Sequence, residues 1–275
     1  MTPTLAHAGT GHVGWVAVHP MPALVLLAAT LLYVRAVGIL RSRGRQVPRF
    51  QQALFFSGLA LVAIALLSPL DPLGEQYLLS AHMAQHLLLA DLAGPLLLAG
   101  LRAPLLYFFW PRPILVKAAR TAVLRKLWSV LTRPAWALGT WLVVLYAWHL
   151  PVAYEAALRH ESLHILEHVS FAFTGMLAWW PLLDPTHHRA EGRMWKAFYV
   201  VVARTIGGIL GIILIVLPSQ LYGFYGDAPL HYGLTPRTDQ QLAGAMMMAV
   251  DFIIVTAGFF YFLARMGDEQ EGTDP

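Results

Sequence analysis

The sequence contains no cysteine, and charged residues make up only 12% of its 275 positions. The lack of cysteine excludes disulfides, iron–sulfur clusters and thiolate metal sites. A soft metal would therefore have to be held by histidine, methionine or carboxylate. Soluble domains carry about 25% charged residues, whereas this chain is 57% hydrophobic. The formal charge of +4 is small; it indicates no nucleic-acid partner, and we expect the chain to lie in a lipid bilayer.

Long apolar runs account for the hydrophobic excess. A helix of about 20 apolar residues spans the hydrocarbon core of a bilayer, about 30 Å thick. Seven segments approach that length, so we predict an all-α, polytopic membrane protein built as a bundle of seven transmembrane helices. The predicted spans are 21–40, 52–69, 79–100, 134–150, 163–182, 197–217 and 241–264.

The distribution of Lys and Arg predicts the orientation of these spans. Fifteen of the 19 basic residues fall in the C-terminal tail or in three loops on one side, 41–51, 101–133 and 183–196. The opposite side carries only Arg159 and Arg237. Because loops rich in Lys and Arg stay in the cytoplasm, we expect the N-terminus outside and the C-terminus in the cytoplasm.

These limits divide the chain into three parts. Residues 1–20 form an outer N-terminal lead without Lys or Arg, unlike the start of a signal peptide. Residues 21–265 form the transmembrane domain, and residues 266–275 form an acidic cytoplasmic tail. Within the domain, 104–131 combines a proline-bracketed apolar stretch with basic residues among apolar ones. It is predicted to be a cytoplasmic amphipathic segment lying on lipid; a polar helical connector is the alternative.

Ten of the twelve histidines fall on the predicted outer side. Two of them, His82 and His86, are four residues apart, so they share one face of a helix and are suitably spaced to hold one metal ion. Three more, His160, His164 and His168, repeat the same spacing at the start of the fifth span. Alternatively, such histidines make hydrogen bonds between helices.

A third span brings another histidine to the same depth. His149 ends the fourth span on the outer side, which makes a shared site of three spans more plausible than any one motif. Met83 is turned about 100° from His82, so it is only a further candidate ligand, as is His160. Asp239 and Met247, at the outer end of the last span, are also further candidates, although apolar packing accounts for most of a methionine run.

Three charged residues lie deeper in the spans: Asp91, Arg204 and Asp251. Charges inside a membrane are costly and are usually paired. We expect Arg204 to pair with a carboxylate, either as a structural contact or as part of a proton or ion path.

Several longer motifs carry a family resemblance. They are HMAQHLLLADLAGPLLLAG at 82–100, WHLP at 148–151, HILEH at 164–168, WWPL at 179–182 and DQQLAG at 239–244. In this order, and over most of residues 15–262, the chain resembles the multi-span CtaG family of cytochrome c oxidase assembly factors, the caa-type group.

The resemblance implies a protein of the bacterial inner membrane that matures a haem–copper oxidase and catalyses no reaction itself. It implies a copper ion as cargo, held on the periplasmic side and delivered to the copper-containing subunits I or II of the oxidase. His82, His86, His149, His164 and His168 would be the ligands. Three alternatives remain open at this point: a redox protein with haem held by His pairs such as His86 and His168, a transporter, and a metal-free assembly scaffold.

Overall fold

A computed structural model describes residues 20–186 and 194–271, and this part of the chain is helical, without a β-strand. The α-helices are α1 (Pro20–Ser42), α2 (Arg49–Leu67), α3 (Leu70–Gln76), α4 (Leu79–His86), α5 (Gly94–Gly100), α6 (Leu105–Phe109), α7 (Arg112–Arg120), α8 (Ala122–Leu131), α9 (Pro134–Trp148), α10 (Pro151–Arg159), α11 (Glu161–Leu183), α12 (Met194–Val216) and α13 (Pro236–Glu271). A π-helical segment, Leu87–Ala93, joins α4 to α5, and a short 3₁₀ helix occupies Ala228–Tyr232.

Each of the seven apolar segments is helical, and five helices of the described chain are long and apolar enough to cross a membrane. These five are α1, α2, the continuous run Leu79–Gly100, α12 and the part of α13 up to Tyr261. The described part of the chain is therefore all-helical, and its apolar helices fit a multi-pass membrane protein.

The other two predicted spans are weaker by length and composition. α9 has 15 residues, and only together with α8, from which it bends by 82°, is it long enough to count as a sixth crossing. α11 has 23 residues, but its histidines and glutamates lower its hydropathy. The residues that make α11 a poor span are thus the candidate ligands.

Most spans pack around one large apolar cluster beside the candidate site. α12 lies along α13, α9 packs on α11, and α4 contacts α13. A second cluster, built around stacked Tyr33 and Phe55, joins α1 and α2 to α6. The first cluster includes side chains of α4, of the π-helical segment and of α11, so it holds together the two helices that carry the histidines.

The π-helical segment was not predicted, and it changes which residues share a face. In an α-helix, residues five apart point about 140° away from each other, whereas a π-helix bonds residue i to i+5. The segment therefore turns Asp91 toward the side on which His86 lies, and both residues line one cavity. Single π-helical turns inside α-helices are frequent at functional sites.

A glycine on α11 allows this segment to approach closely. A β-carbon added at Gly175 would lie 2.7 Å from the backbone of Ala90, a distance that side chains do not tolerate. At Gly139 on α9, by contrast, an added β-carbon meets nothing within 4 Å.

Gly175→Ala should therefore destabilise the protein by about 1–3 kcal/mol, as overpacking of a filled interior does. Gly139→Ala should be neutral or stabilising by up to about 1 kcal/mol, because alanine is the better helix former. Thermal unfolding of both variants in detergent measures the difference. Equal melting temperatures would show that the contact between α11 and the π-helical segment is not tight.

The structure adds detail to two parts of the predicted layout. The amphipathic segment forms three short helices, α6, α7 and α8, and neither α7 nor α8 has a buried residue. Helical backbone continues to Glu271, into the residues predicted as an acidic tail. Residues 1–19 of the predicted lead at 1–20, and His187 and His188, lie outside the described residues.

Candidate metal centre

The helix α4 carries the first two histidines, and Asp239 anchors its beginning. The carboxylate of Asp239 accepts hydrogen bonds from the backbone N–H of Leu79 at 2.7 Å, and from the backbone N–H and hydroxyl of Ser80. These bonds satisfy backbone donors that the start of a helix leaves unpaired. One turn later His82 is fully buried, and His86 is 5% exposed.

The helix α11 carries the opposing histidines. His164 and His168 are buried, as is Glu167 between them. The ring centroids of His82 and His86 are 4.4 Å apart, and those of His164 and His168 are 4.2 Å apart. Across the two helices the ring of His82 lies 5.3 Å from that of His164 and 5.7 Å from that of His168. Four of the five predicted histidines therefore come together.

Glu167 completes this group, which we call the His/Glu cluster: His82, His86, His164, Glu167 and His168. One carboxylate oxygen of Glu167 lies 3.4 Å from Nε2 of His82, and the other lies 3.7 Å from Nε2 of His86. Ligand atoms of His82, His164 and His168 lie within 4.8 Å of one another, and so do those of His82, His86 and Glu167. His82 belongs to both sets.

The donor atoms of the cluster fit a metal ion. In the structure of the described residues, eight buried side-chain nitrogen and oxygen atoms of the His/Glu cluster have no hydrogen-bond partner. Burying one polar group without a partner costs about 1–3 kcal/mol, and native proteins contain few such atoms. Imidazole nitrogens and carboxylate oxygens facing one another are the donor set that a transition metal takes.

A hydrogen bond orients one of these ligands. Nδ1 of His164 lies 2.9 Å from a carboxylate oxygen of Glu75 on α3. This nitrogen therefore carries the proton and donates a hydrogen bond to Glu75. Nε2 of His164 then keeps its lone pair and has no hydrogen-bond partner, so it is free to bind a metal ion. A carboxylate that holds the second ring nitrogen is the usual support of a metal-binding histidine.

Two tyrosines, Tyr154 and Tyr225, lie beside the cluster, on α10 and on the loop that follows α12. The ring of Tyr154 lies 5.1 Å from that of His82. The hydroxyl of Tyr154 is 2.8 Å from that of Tyr225, which donates to the carbonyl of Gly74. Burial raises the pKa of each of these two phenols well above the usual value of a tyrosine. Both phenols stay protonated, so they serve as hydrogen-bond donors and add no anionic ligand.

His149 is buried but stands apart from the cluster. Its ring centroid is 6.4 Å from that of His86. Nδ1 of His149 lies 2.8 Å from the carbonyl oxygen of Leu145, and Nε2 lies 3.3 Å from the sulfur of Met83. Met83 is fully buried, and Met247 is 6% exposed. Met83, His86, His149 and Met247 line one cavity.

The other candidate ligands lie elsewhere. His160 is exposed at the junction of α10 and α11. The oxygens of Asp239 are occupied by the start of α4. In the same motif, Gln240 accepts from the backbone N–H of Leu221 at 2.7 Å and donates to the carbonyl of Leu214. The motif at 239–244 therefore positions the site and does not line it.

The three deep charges form an ion triad of Asp91, Arg204 and Asp251, as the sequence indicated for Arg204. The guanidinium of Arg204 contacts both carboxylates, and the carbon at its centre lies 5.1 Å from the ring of Trp141 and 5.4 Å from that of Trp179. The triad lines the same cavity as His86 and His149.

Two acidic residues of the site were not among the candidates named from the sequence. Glu167 belongs to one of the two potential ligand sets. Its position between two histidines, in HILEH, was the available signal. Glu75 lies on a short helix before the third span, and no spacing rule connects it to His164.

Comparison with known proteins adds one finding to this geometry. No curated protein and no solved structure matches the chain. Residues 31–268 match the family described as cytochrome c oxidase caa3 assembly factor (Caa3_CtaG). This match covers α11 and all residues of the His/Glu cluster, and it extends through most of the last helix. The chain therefore belongs to the Caa3_CtaG family of cytochrome c oxidase assembly factors.

Proposed function

We propose that this assembly factor binds a copper ion at the His/Glu cluster and delivers it to the apo-oxidase. The observation that carries the proposal is the set of eight buried nitrogen and oxygen atoms on two facing helices that could bind a metal and have no hydrogen-bond partner. Imidazole suits copper, and among divalent first-row metals copper binds such nitrogen and oxygen ligands most tightly. A haem–copper oxidase also requires copper during its maturation, so an assembly factor for such an oxidase has copper as a natural cargo.

The cluster suits transfer better than permanent storage. His86, His164 and His168 are 5–8% exposed, whereas His82 is fully buried behind them. Glu75, which holds His164, is 32% exposed, and the exposed His160 immediately precedes α11. Ligands at an accessible edge can be exchanged one at a time, so copper can leave without disruption of the helices.

The seven-span topology is part of this proposal. α9 and α11, added to the five clearly apolar spans, give seven crossings with the N-terminus outside. The excess of Lys and Arg in the loops on the other side supports this orientation. The His/Glu cluster then lies on the periplasmic side of the bacterial inner membrane, where subunit I or II of the oxidase receives its copper.

A haem-binding redox protein is the second candidate, and the packing of the rings disfavours it. The centroids of His86 and His168 are 5.4 Å apart, and the ring of His82 lies beside both of them. A flat macrocycle has no slot between rings packed in this way, whereas a single ion fits. A Soret band in the purified protein would reverse this ranking.

Maturation of the oxidase in cells separates copper delivery from metal-free scaffolding. In a strain without this protein, we expect the oxidase to accumulate with little copper and low activity. The wild-type chain should restore both. A chain in which His82 and His86 are replaced should restore neither, although it inserts in the membrane at the wild-type level. Full restoration by that variant would support the scaffold and contradict copper delivery.

A further inference from the structure

The contact between Met83 and His149 brings together two groups that cannot hydrogen-bond to each other. Nδ1 of His149 lies 2.8 Å from the carbonyl oxygen of Leu145, which can only accept, so this nitrogen carries the proton. In a neutral imidazole the other nitrogen, Nε2, then keeps its lone pair. That lone pair faces the thioether sulfur of Met83 at 3.3 Å, and a thioether is also only an acceptor.

The separation of these two atoms suits a bridging metal ion. With bonds of the lengths that zinc makes, about 2.0 Å to nitrogen and 2.3 Å to sulfur, a separation of 3.3 Å subtends an angle of about 100° at the metal. This angle is close to tetrahedral. The backbone also fixes His149, because Tyr222 donates a hydrogen bond to its carbonyl oxygen at 3.0 Å.

The chemistry of the pair differs from that of the His/Glu cluster. Thioether sulfur is a soft ligand that selects Cu(I) over Zn²⁺, whereas imidazole and carboxylate accept many divalent ions. Met247 offers a second thioether on the wall of the same cavity. The geometry points to a second, softer metal site, formed by Met83 and His149 with Met247 as a further ligand, that takes Cu(I).

This second site rests on the proposed copper function and adds a route by which the ion moves between two sites. His86 belongs to the His/Glu cluster and lines the cavity of the second site. Met83 and His86 are three residues apart on α4, so they are neighbours on one helix. An ion held by His86 in the cluster is therefore next to the methionine of the softer site. The two sites exchange Cu(I) along α4 by replacing one ligand at a time, and no change of oxidation state is needed.

Anaerobic titration with Cu(I) against a chromophoric chelator tests the second site. We expect the wild-type protein to bind two Cu(I) ions tightly and the Met83→Leu variant to bind one. Zn²⁺ should bind to both proteins with the same stoichiometry, one ion at the His/Glu cluster. Leucine has nearly the volume of methionine, so the packing should be kept. Met246→Leu, on α13 beside Met247, is the matched control and should still bind two Cu(I) ions.

X-ray absorption supplies a readout that needs no variant. In the selenomethionine-labelled wild-type protein loaded with Cu(I), we expect copper–selenium scattering. Its absence, or two tightly bound Cu(I) ions in Met83→Leu, would overturn the second site. A wild-type protein that binds one Cu(I) ion through nitrogen and oxygen alone would refute this inference and leave the proposed function intact. A protein that binds no copper would refute both.

Discussion

Replacing His82 and His86 together with alanine should abolish copper retention by the purified protein. His82 belongs to both potential ligand sets, and His86 shares Glu167 with it. Four-ligand sites in small zinc proteins bind with about 10–16 kcal/mol, so each ligand is worth about 3 kcal/mol, or roughly a hundredfold in affinity. Losing two ligands should weaken binding by about ten-thousandfold, enough to strip the ion during purification.

The matched control for this variant is His160→Ala. His160 is exposed beside the same helix, so its loss should leave the copper content unchanged. Metal analysis of wild type and both variants, purified in parallel, measures the effect. Because alanine leaves cavities where two rings were packed, Glu167→Gln provides a variant of nearly constant volume, and it should also weaken copper binding. Equal copper content in the wild type and the double variant would show that the His/Glu cluster is not the site.

The helices that carry the site were predictable from the sequence, because their signals are local. Apolar runs predicted helix at each of the seven segments. The four-residue spacing of His82 and His86, and of His164 and His168, predicted that each pair shares a face. The equal depth of the two pairs then indicated that they meet. The structure confirms that they do.

The rest of the site depends on contacts between distant segments, which no local pattern encodes. Glu75 contacts His164 across 89 positions of the chain. The distance between His149 and the cluster depends on the packing of α9 against α11. The π-helical segment was equally unpredictable, since Leu87–Ala93 reads as an ordinary apolar helix. The segment packs against Gly175, and its Asp91 pairs with Arg204, so both of these contacts join it to distant parts of the chain.

Replacing Arg204 with methionine should destabilise the protein more than Gly175→Ala does. Arg204 is 6% exposed, and its guanidinium faces two buried carboxylates. Removing one partner of a buried ion pair costs about 3–5 kcal/mol, because the remaining charge is buried without compensation. Here two carboxylates would remain, and the contacts with Trp141 and Trp179 would be lost as well.

The exposed ion pair of Arg159 with Glu155 is the matched control. Its two groups are 2.6 Å apart, and the arginine side chain is 58% exposed. Solvent screens such pairs, which contribute about 0–1 kcal/mol, so Arg159→Ala should barely change the melting temperature. Thermal unfolding in detergent compares the two variants. Equal small shifts would show that water or lipid headgroups reach the ion triad.

A triple variant then tells a structural triad from an ion path. Combining Arg204→Met with Asp91→Asn and Asp251→Asn removes every charge while nearly keeping the volume. Replacing a buried ionic group by neutral groups is often neutral or stabilising, so most of the lost stability should return. If oxidase maturation returns with stability, the triad only holds α12, α13 and the π-helical segment together. If stability returns and maturation does not, the charges themselves serve the passage of copper or protons through the cavity that they line together with His86.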